Sequence, residues 1–239
     1  MKIIACNSAC CCGEKDCFIP IPPNTVIAIN VETFHKHITN TKSITPSRGE
    51  ASRDKGGQRP HCDCILVLRV DDCPTHLVAV VIELKNLLGF LANYIAAQII
   101  SKTGLGVVEK PKAEFIYKLR DKMNYCANLI AKLLQPLHTT NNLTILCSTT
   151  IQYNVEPDNL ISMVQNLVYE KTGKEASKFI SIKLVVETVR KIASEIREAL
   201  KAGCRAAQKQ GIHINTMLMY CNVDVGTLLK KISEVCRER

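Results

Sequence analysis

Three features of the sequence predict an α/β chain with strands at the centre and helices packed on them. Short runs dense in Val, Ile and Leu alternate with longer amphipathic runs. Gly and Pro punctuate these runs, and charged residues gather at the ends of the apolar ones. The 239 residues can bury a full core, and 46% hydrophobic against 22% charged residues describes a globular chain.

Taken in order, residues 1–23 form a Cys-rich head that runs into the Pro-rich "IPIPPN". "TVIAINVETFHKHI" begins β-branched and continues with helix-compatible residues, which predicts a strand and then a short helix. Residues 39–61 are polar and carry Lys42, Arg48, Arg53, Lys55 and Arg59, which predicts a long basic loop of functional type. "CDCILVLRV" and "HLVAVVIELK" predict two strands covered on both faces, joined through "DDCPT" as an antiparallel hairpin. "NLLGFLANYIAAQIISKTG" predicts a helix with Gly104 as its stop. A second amphipathic helix over 112–137 leads to the strand "NLTILCSTTI". Helices are expected over 158–173 and 175–203, then the strand "IHINTMLMYCNV" and a closing helix from Asp224, which suits an N-cap. This divides the chain into the head, a core over 24–150, and a largely helical extension over 151–239 packed on the core.

A formal charge of +9, from 31 Lys plus Arg against 22 Asp plus Glu, favours polyanionic partners held through their phosphates. Aromatics are only 5% with no Trp, which argues against a base-stacking platform. No run approaches the ~20 apolar residues of a membrane span. The start "MKIIACNSACCC" lacks room for the ~7–15-residue apolar region of an export signal. The ending "CRER" does not fit a prenylation signal. A cytoplasmic chain with no membrane partner is expected.

The chemistry is concentrated in "HCDCILVLRVDDCPTHLVAVVIELKN", residues 61–86. Strand alternation points Glu83 and Lys85 the same way and Leu84 the opposite way. Antiparallel pairing of the two strands brings the head of the first beside the tail of the second, so Asp63 is expected next to Glu83 and Lys85. Two carboxylates so placed can share Mg2+ or Mn2+, with the Leu84 carbonyl as a further hard oxygen ligand. A neighbouring ammonium stabilises charge developing on a phosphate or orients the attacking water. An acidic-x-Lys tripeptide alone is weak, since about two are expected by chance. Its place at the end of the most strand-like run, after an Asp that opens the preceding strand, makes it more specific. Charged strand ends that merely meet solvent are the competing explanation.

"HCDCILVL" followed by "VVIELK" resembles the signature of the PD-(D/E)XK nuclease superfamily, which includes archaeal Holliday-junction resolvases, many restriction enzymes and RecB-type nucleases. The resemblance covers about residues 50–102 and departs from the pattern at His61-Cys62, where a Pro often precedes the Asp. It implies a restriction-endonuclease-like core with a mixed sheet flanked by helices, and catalysis by Asp63, Glu83 and Lys85. It further implies an upstream Glu, with Glu50 favoured over Glu32 by spacing, and a polar residue on the following helix, here Gln98. Metal-dependent hydrolysis of nucleic acid, DNA rather than RNA, and a homodimer for cutting two strands are the corresponding expectations.

Thirteen cysteines are many for an intracellular chain. In the head, Cys6, Cys10, Cys12 and Cys17 could hold zinc or an iron–sulfur cluster, although the spacing matches no standard motif. Buried thiols, or disulfides of the kind found inside hyperthermophiles, are the alternatives. Cys62 and Cys64 flank Asp63 and are expected together in the core, on the face opposite it. Besides a redox or iron–sulfur protein, two functions follow. One is a metal-dependent nuclease in which Arg48, Arg53, Lys55 and Arg59 grip the nucleic-acid backbone. The other is a non-catalytic nucleic-acid-binding or assembly protein with a nuclease-like fold and a Cys-bound zinc or iron–sulfur site.

Overall fold

The structure is a computed structural model that describes residues 21–31, 62–70, 77–111, 114–135, 143–152, 157–175, 177–208, 212–220 and 223–237. It is an α/β fold built on one five-stranded mixed sheet with five helices among the described residues. The strands are β1 (Thr25–Asn30), β2 (Cys64–Leu68), β3 (Leu77–Asn86), β4 (Leu143–Gln152) and β5 (His213–Tyr220). The helices are α1 (Leu88–Thr103), α2 (Glu114–Leu133), α3 (Pro157–Thr172), α4 (Ile182–Gln208) and α5 (Val225–Arg237).

The sheet order follows the chain, β1-β2-β3-β4-β5. β1, β2 and β3 form an antiparallel meander, and β3, β4 and β5 run parallel. Parallel neighbours need long crossovers, which α1 with α2 and α3 with α4 supply. Both faces of β2 and β3 are buried, as their unbroken apolar runs require.

On one face Ile65, Val67, Ala79, Val81, Ile145 and Cys147 pack under α1, α2, α3 and α4. On the other, Leu66, Val80, Ile82, Leu84 and Met219 pack under Leu228, Ile232 and Cys236 of α5. A disulfide joins Cys147 of β4 to Cys204 of α4 across the four-helix side. The boundary expected at residue 150 falls inside β4, and β5 from the expected extension completes the same sheet.

Local signals explain most element ends. Gly104 adopts a left-handed φ of 67° and its N–H bonds the Ile100 carbonyl, closing α1. Asp224 caps α5, with Oδ1 accepting the Thr227 N–H at 2.9 Å. The helix expected over 175–203 is divided: Ser177–Phe179 is a single 3-10 turn, and α4 starts afresh after Ser181, whose Oγ accepts the Leu184 N–H at 3.2 Å. Gly203 does not stop α4, which runs on to Gln208. A Cβ at Gly203 would lie 2.6 Å from the Arg120 carbonyl oxygen and 2.8 Å from Met123 Cβ, so this glycine serves close approach to α2.

Candidate functional site

Asp63 is held by its backbone before β2 begins. Its N–H donates to the Ile82 carbonyl at 3.1 Å, and its own carbonyl accepts the Val31 N–H at 3.2 Å. The pairing of Cys64 with Ile82 then sets Asp63 beside Glu83. Its Oδ2 accepts the Leu84 N–H at 2.7 Å, so the carboxylate is fixed against the tail of β3. N–H and C=O of one residue project to the same edge of an extended strand, so the Leu84 carbonyl also faces the Asp63 side.

Glu83 is completely buried, on the sheet face that carries the four helices. Lys85 lies two residues on, with Nζ 2.9 Å from Glu83 Oε1. The three residues picked out in the sequence therefore converge at the carboxyl end of β3, the end at which open α/β sheets bind ligands. The structure adds a fourth residue that the sequence reading missed. Lys122 of α2 places Nζ 2.6 Å from the same Glu83 Oε1. The one signal for it was a Lys set among Leu119, Met123 and Cys126, on the buried stripe of α2.

Burial, and after it the charge of Asp63, pushes the Glu83 carboxyl above its ordinary range; Lys122 and then Lys85 pull it back. Glu83 Oε2 is buried and, among the described residues, has no hydrogen-bond partner. An orphaned carboxylate oxygen in the interior is costly, and a hard cation is one group that would satisfy it. Asp63, Glu83 and the Leu84 carbonyl are oxygen donors of the type Mg2+ and Mn2+ take, and Mg2+ completes its shell with waters. The residues present thus fit such an ion, although no cluster of three or more His, Cys, Asp or Glu side chains that could hold a metal occurs among the described residues.

Gln98 is half-buried on α1, and no hydrogen bond joins it to the carboxylates among the described residues. Glu50, Arg48, Arg53, Lys55, Arg59, Cys6, Cys10, Cys12 and Cys17 lie outside the described residues, as does Glu32.

The two cysteines beside Asp63 do not share an environment as alternation suggested. Cys64 packs on the α5 side, whereas Cys62 packs on the four-helix side, its N–H 3.0 Å from Cys126 Sγ of α2. Cys62 precedes β2, so strand alternation does not govern it. Burial first, and then Cys126, Glu83 and Asp63, raise its thiol well above the ordinary value. It therefore stays protonated and serves as packing.

No protein-family model, curated protein or solved structure matches the chain. Among the described residues, no helix is long and apolar enough to cross a membrane.

Proposed function

We propose that this chain carries a restriction-endonuclease-like core and is a metal-dependent nuclease acting on DNA. The observation that carries the reading is Glu83, fully buried, with Asp63 beside it, Lys85 on one oxygen and, among the described residues, no hydrogen-bond partner on the other. A mixed sheet flanked by helices agrees with the resemblance of "HCDCILVL" and "VVIELK" to PD-(D/E)XK enzymes. The net charge of +9 suits a phosphate backbone.

In phosphodiester hydrolysis a water oxygen forms a new P–O bond and one P–O bond to a sugar breaks. The water gives up a proton and the leaving sugar oxygen takes one up. Asp63 and Glu83 would hold Mg2+ or Mn2+, which when bound lowers the pKa of water and neutralises phosphate charge. The Leu84 N–H fixes the Asp63 carboxylate, and the sheet fixes Glu83, so neither reorganises as charge develops. Lys85 offers its ammonium, at the rim of the site, to the phosphate.

A second reading is a nucleic-acid-binding or assembly protein that has the fold without turnover. It is favoured by the charge balance, since Asp63 and Glu83 are offset by Lys85 and Lys122. Cleavage of labelled linear, nicked and four-way-branched DNA in Mg2+ or Mn2+ separates the two, with RNA as a parallel substrate. Metal-dependent cutting lost in Glu83→Ala and Lys85→Ala is the expected result. Salt-sensitive binding without cutting would favour the second reading, and cutting that survives both substitutions would place the chemistry elsewhere.

A further inference from the structure

The two lysines at Glu83 arrive by different routes. Lys85 is carried by β3 itself, so sheet register alone decides its place. Lys122 is carried by α2, and its place depends on how that helix is pressed onto the sheet. Leu119, Met123 and Cys126 anchor the same stripe of α2 in the core. Behind them Gly203 brings the backbone of α4 against the turn formed by Arg120 and Met123. The fold thus seats Lys122 at the Glu83 carboxylate.

One ammonium is enough to pair one carboxylate. Here two crowd a single oxygen, Oε1, at 2.6 and 2.9 Å, while among the described residues Oε2 keeps no hydrogen-bond partner. Like charges so close repel, so a further anion beside the two ammonium groups is favourable. Burial is also uneven: the Glu83 side chain is 0% exposed, whereas those of Lys122 and Lys85 are 24% and 26% exposed. An anion arriving from solvent therefore meets two ammonium groups before it reaches the carboxylate. Among the described residues the four side-chain charges cancel, so a divalent ion on the carboxylates would leave them with two net positive charges, a favourable surface for a phosphodiester.

We propose that Lys122 is, with Lys85, one of two lysines that bind the phosphate of the strand to be cut. This rests on the nuclease reading above and assigns part of its substrate contact to α2, which the resemblance does not include.

The test measures binding and cutting separately. Binding of a labelled duplex is followed by fluorescence anisotropy in EDTA over a salt series, for wild type, Lys122→Gln and Lys122→Arg. Losing one phosphate contact should make the slope of log K against log salt shallower by about 0.9, and Arg should restore it. Single-turnover cutting in Mn2+ should fall about 10²-fold in the Gln variant and recover in part with Arg. In the wild-type protein, bound duplex should shield Lys122 from reductive methylation read by mass spectrometry, a measurement independent of any variant's folding.

A folded Lys122→Gln protein with unchanged slope and rate, or equal methylation of Lys122 with and without duplex, would overturn the proposal. So would a wild-type protein that binds no nucleic acid. If wild type binds and never cuts, yet the slope changes and the shielding appears, Lys122 stands as a phosphate ligand and the nuclease reading falls.

Discussion

Lys122 Nζ and Glu83 Oε1 lie 2.6 Å apart, joining α2 to the central strand β3 across 39 residues of sequence. The contact makes the candidate site a joint product of sheet and helix. Asp63 and Glu83 come from register between β2 and β3, and one of the two ammonium groups comes from a crossover helix. Burying an ionised carboxylate costs stability unless it is paired, and such groups concentrate where chemistry needs them.

Replacing Glu83 by Gln should shift the stability difference in the variant's favour as pH rises, in chelator. Burial, chiefly, holds the folded-state pKa of Glu83 above its ordinary value of 4.5. Below that value the carboxyl is protonated in both folded and unfolded chains and costs nothing. As pH rises through the folded-state pKa the wild type loses stability, and above it the loss is constant. Urea unfolding in chelator across this range should show the variant's advantage opening with pH and then levelling off, while cutting in Mn2+ is abolished. An advantage that shrinks with rising pH would contradict the assignment.

Gly203→Ala should destabilise the fold and weaken the site from a distance. The added Cβ would sit 2.6 Å from the Arg120 carbonyl oxygen, so α4 or α2 must move. Overpacking of this kind costs about 1–3 kcal/mol. Denaturant unfolding reads that loss. A fall in cutting larger than that of an equally destabilised surface variant would show that displacement of α2 reaches Lys122.

The Cys147–Cys204 disulfide closes a stretch with a sequence separation of 57 residues. Constraining the unfolded chain over such a loop is worth about 4 kcal/mol on the chain-entropy account. A Cys147→Ala/Cys204→Ala protein should therefore unfold at lower urea than wild type under oxidising conditions. The gap should close when both are measured in reductant. Equal midpoints without reductant would mean that this bond contributes nothing to stability.

Asp224→Ala should lower the melting temperature at neutral pH by uncapping α5. The hydrogen bond with the Thr227 hydroxyl, at 2.6 Å, and then that from the Thr227 N–H hold the Asp224 carboxyl below its usual value. Its stabilisation is present above the unfolded value of 3.8 and is lost as pH falls through the lower folded value. Melting curves of the two proteins should converge in acid. A difference that persists unchanged into acid would rule out the cap as its cause.

Much of the architecture was legible in the residues because its causes are local. The dense apolar runs of β2 and β3, the stop at Gly104 and the cap at Asp224 depend on neighbours a few residues away. The meeting of Asp63 with Glu83 and Lys85 was legible for a related reason. Once two adjacent strands are antiparallel, register brings the head of one to the tail of the other.

Other features needed the folded chain. "EASKFISIKLVV" reads as one helix by periodicity, and the Ser181 cap divides it. The helical run read from the sequence ends at Gly203, whereas α4 continues past it, with this glycine packed closely against α2. Cys62 reads as the partner of Cys64, and the irregular backbone before β2 turns it toward Cys126 instead.

What the sequence by itself determined is the set of elements and the pair of strand ends that carry the acids, because pleat and helix period are properties of short stretches. Only the tertiary structure decided that Glu83 is wholly buried, that among the described residues its second oxygen lacks a hydrogen-bond partner and that Lys122 sits on its first. Those facts depend on which helix covers which strand. Packing between elements far apart in sequence decides that, and no local pattern records it.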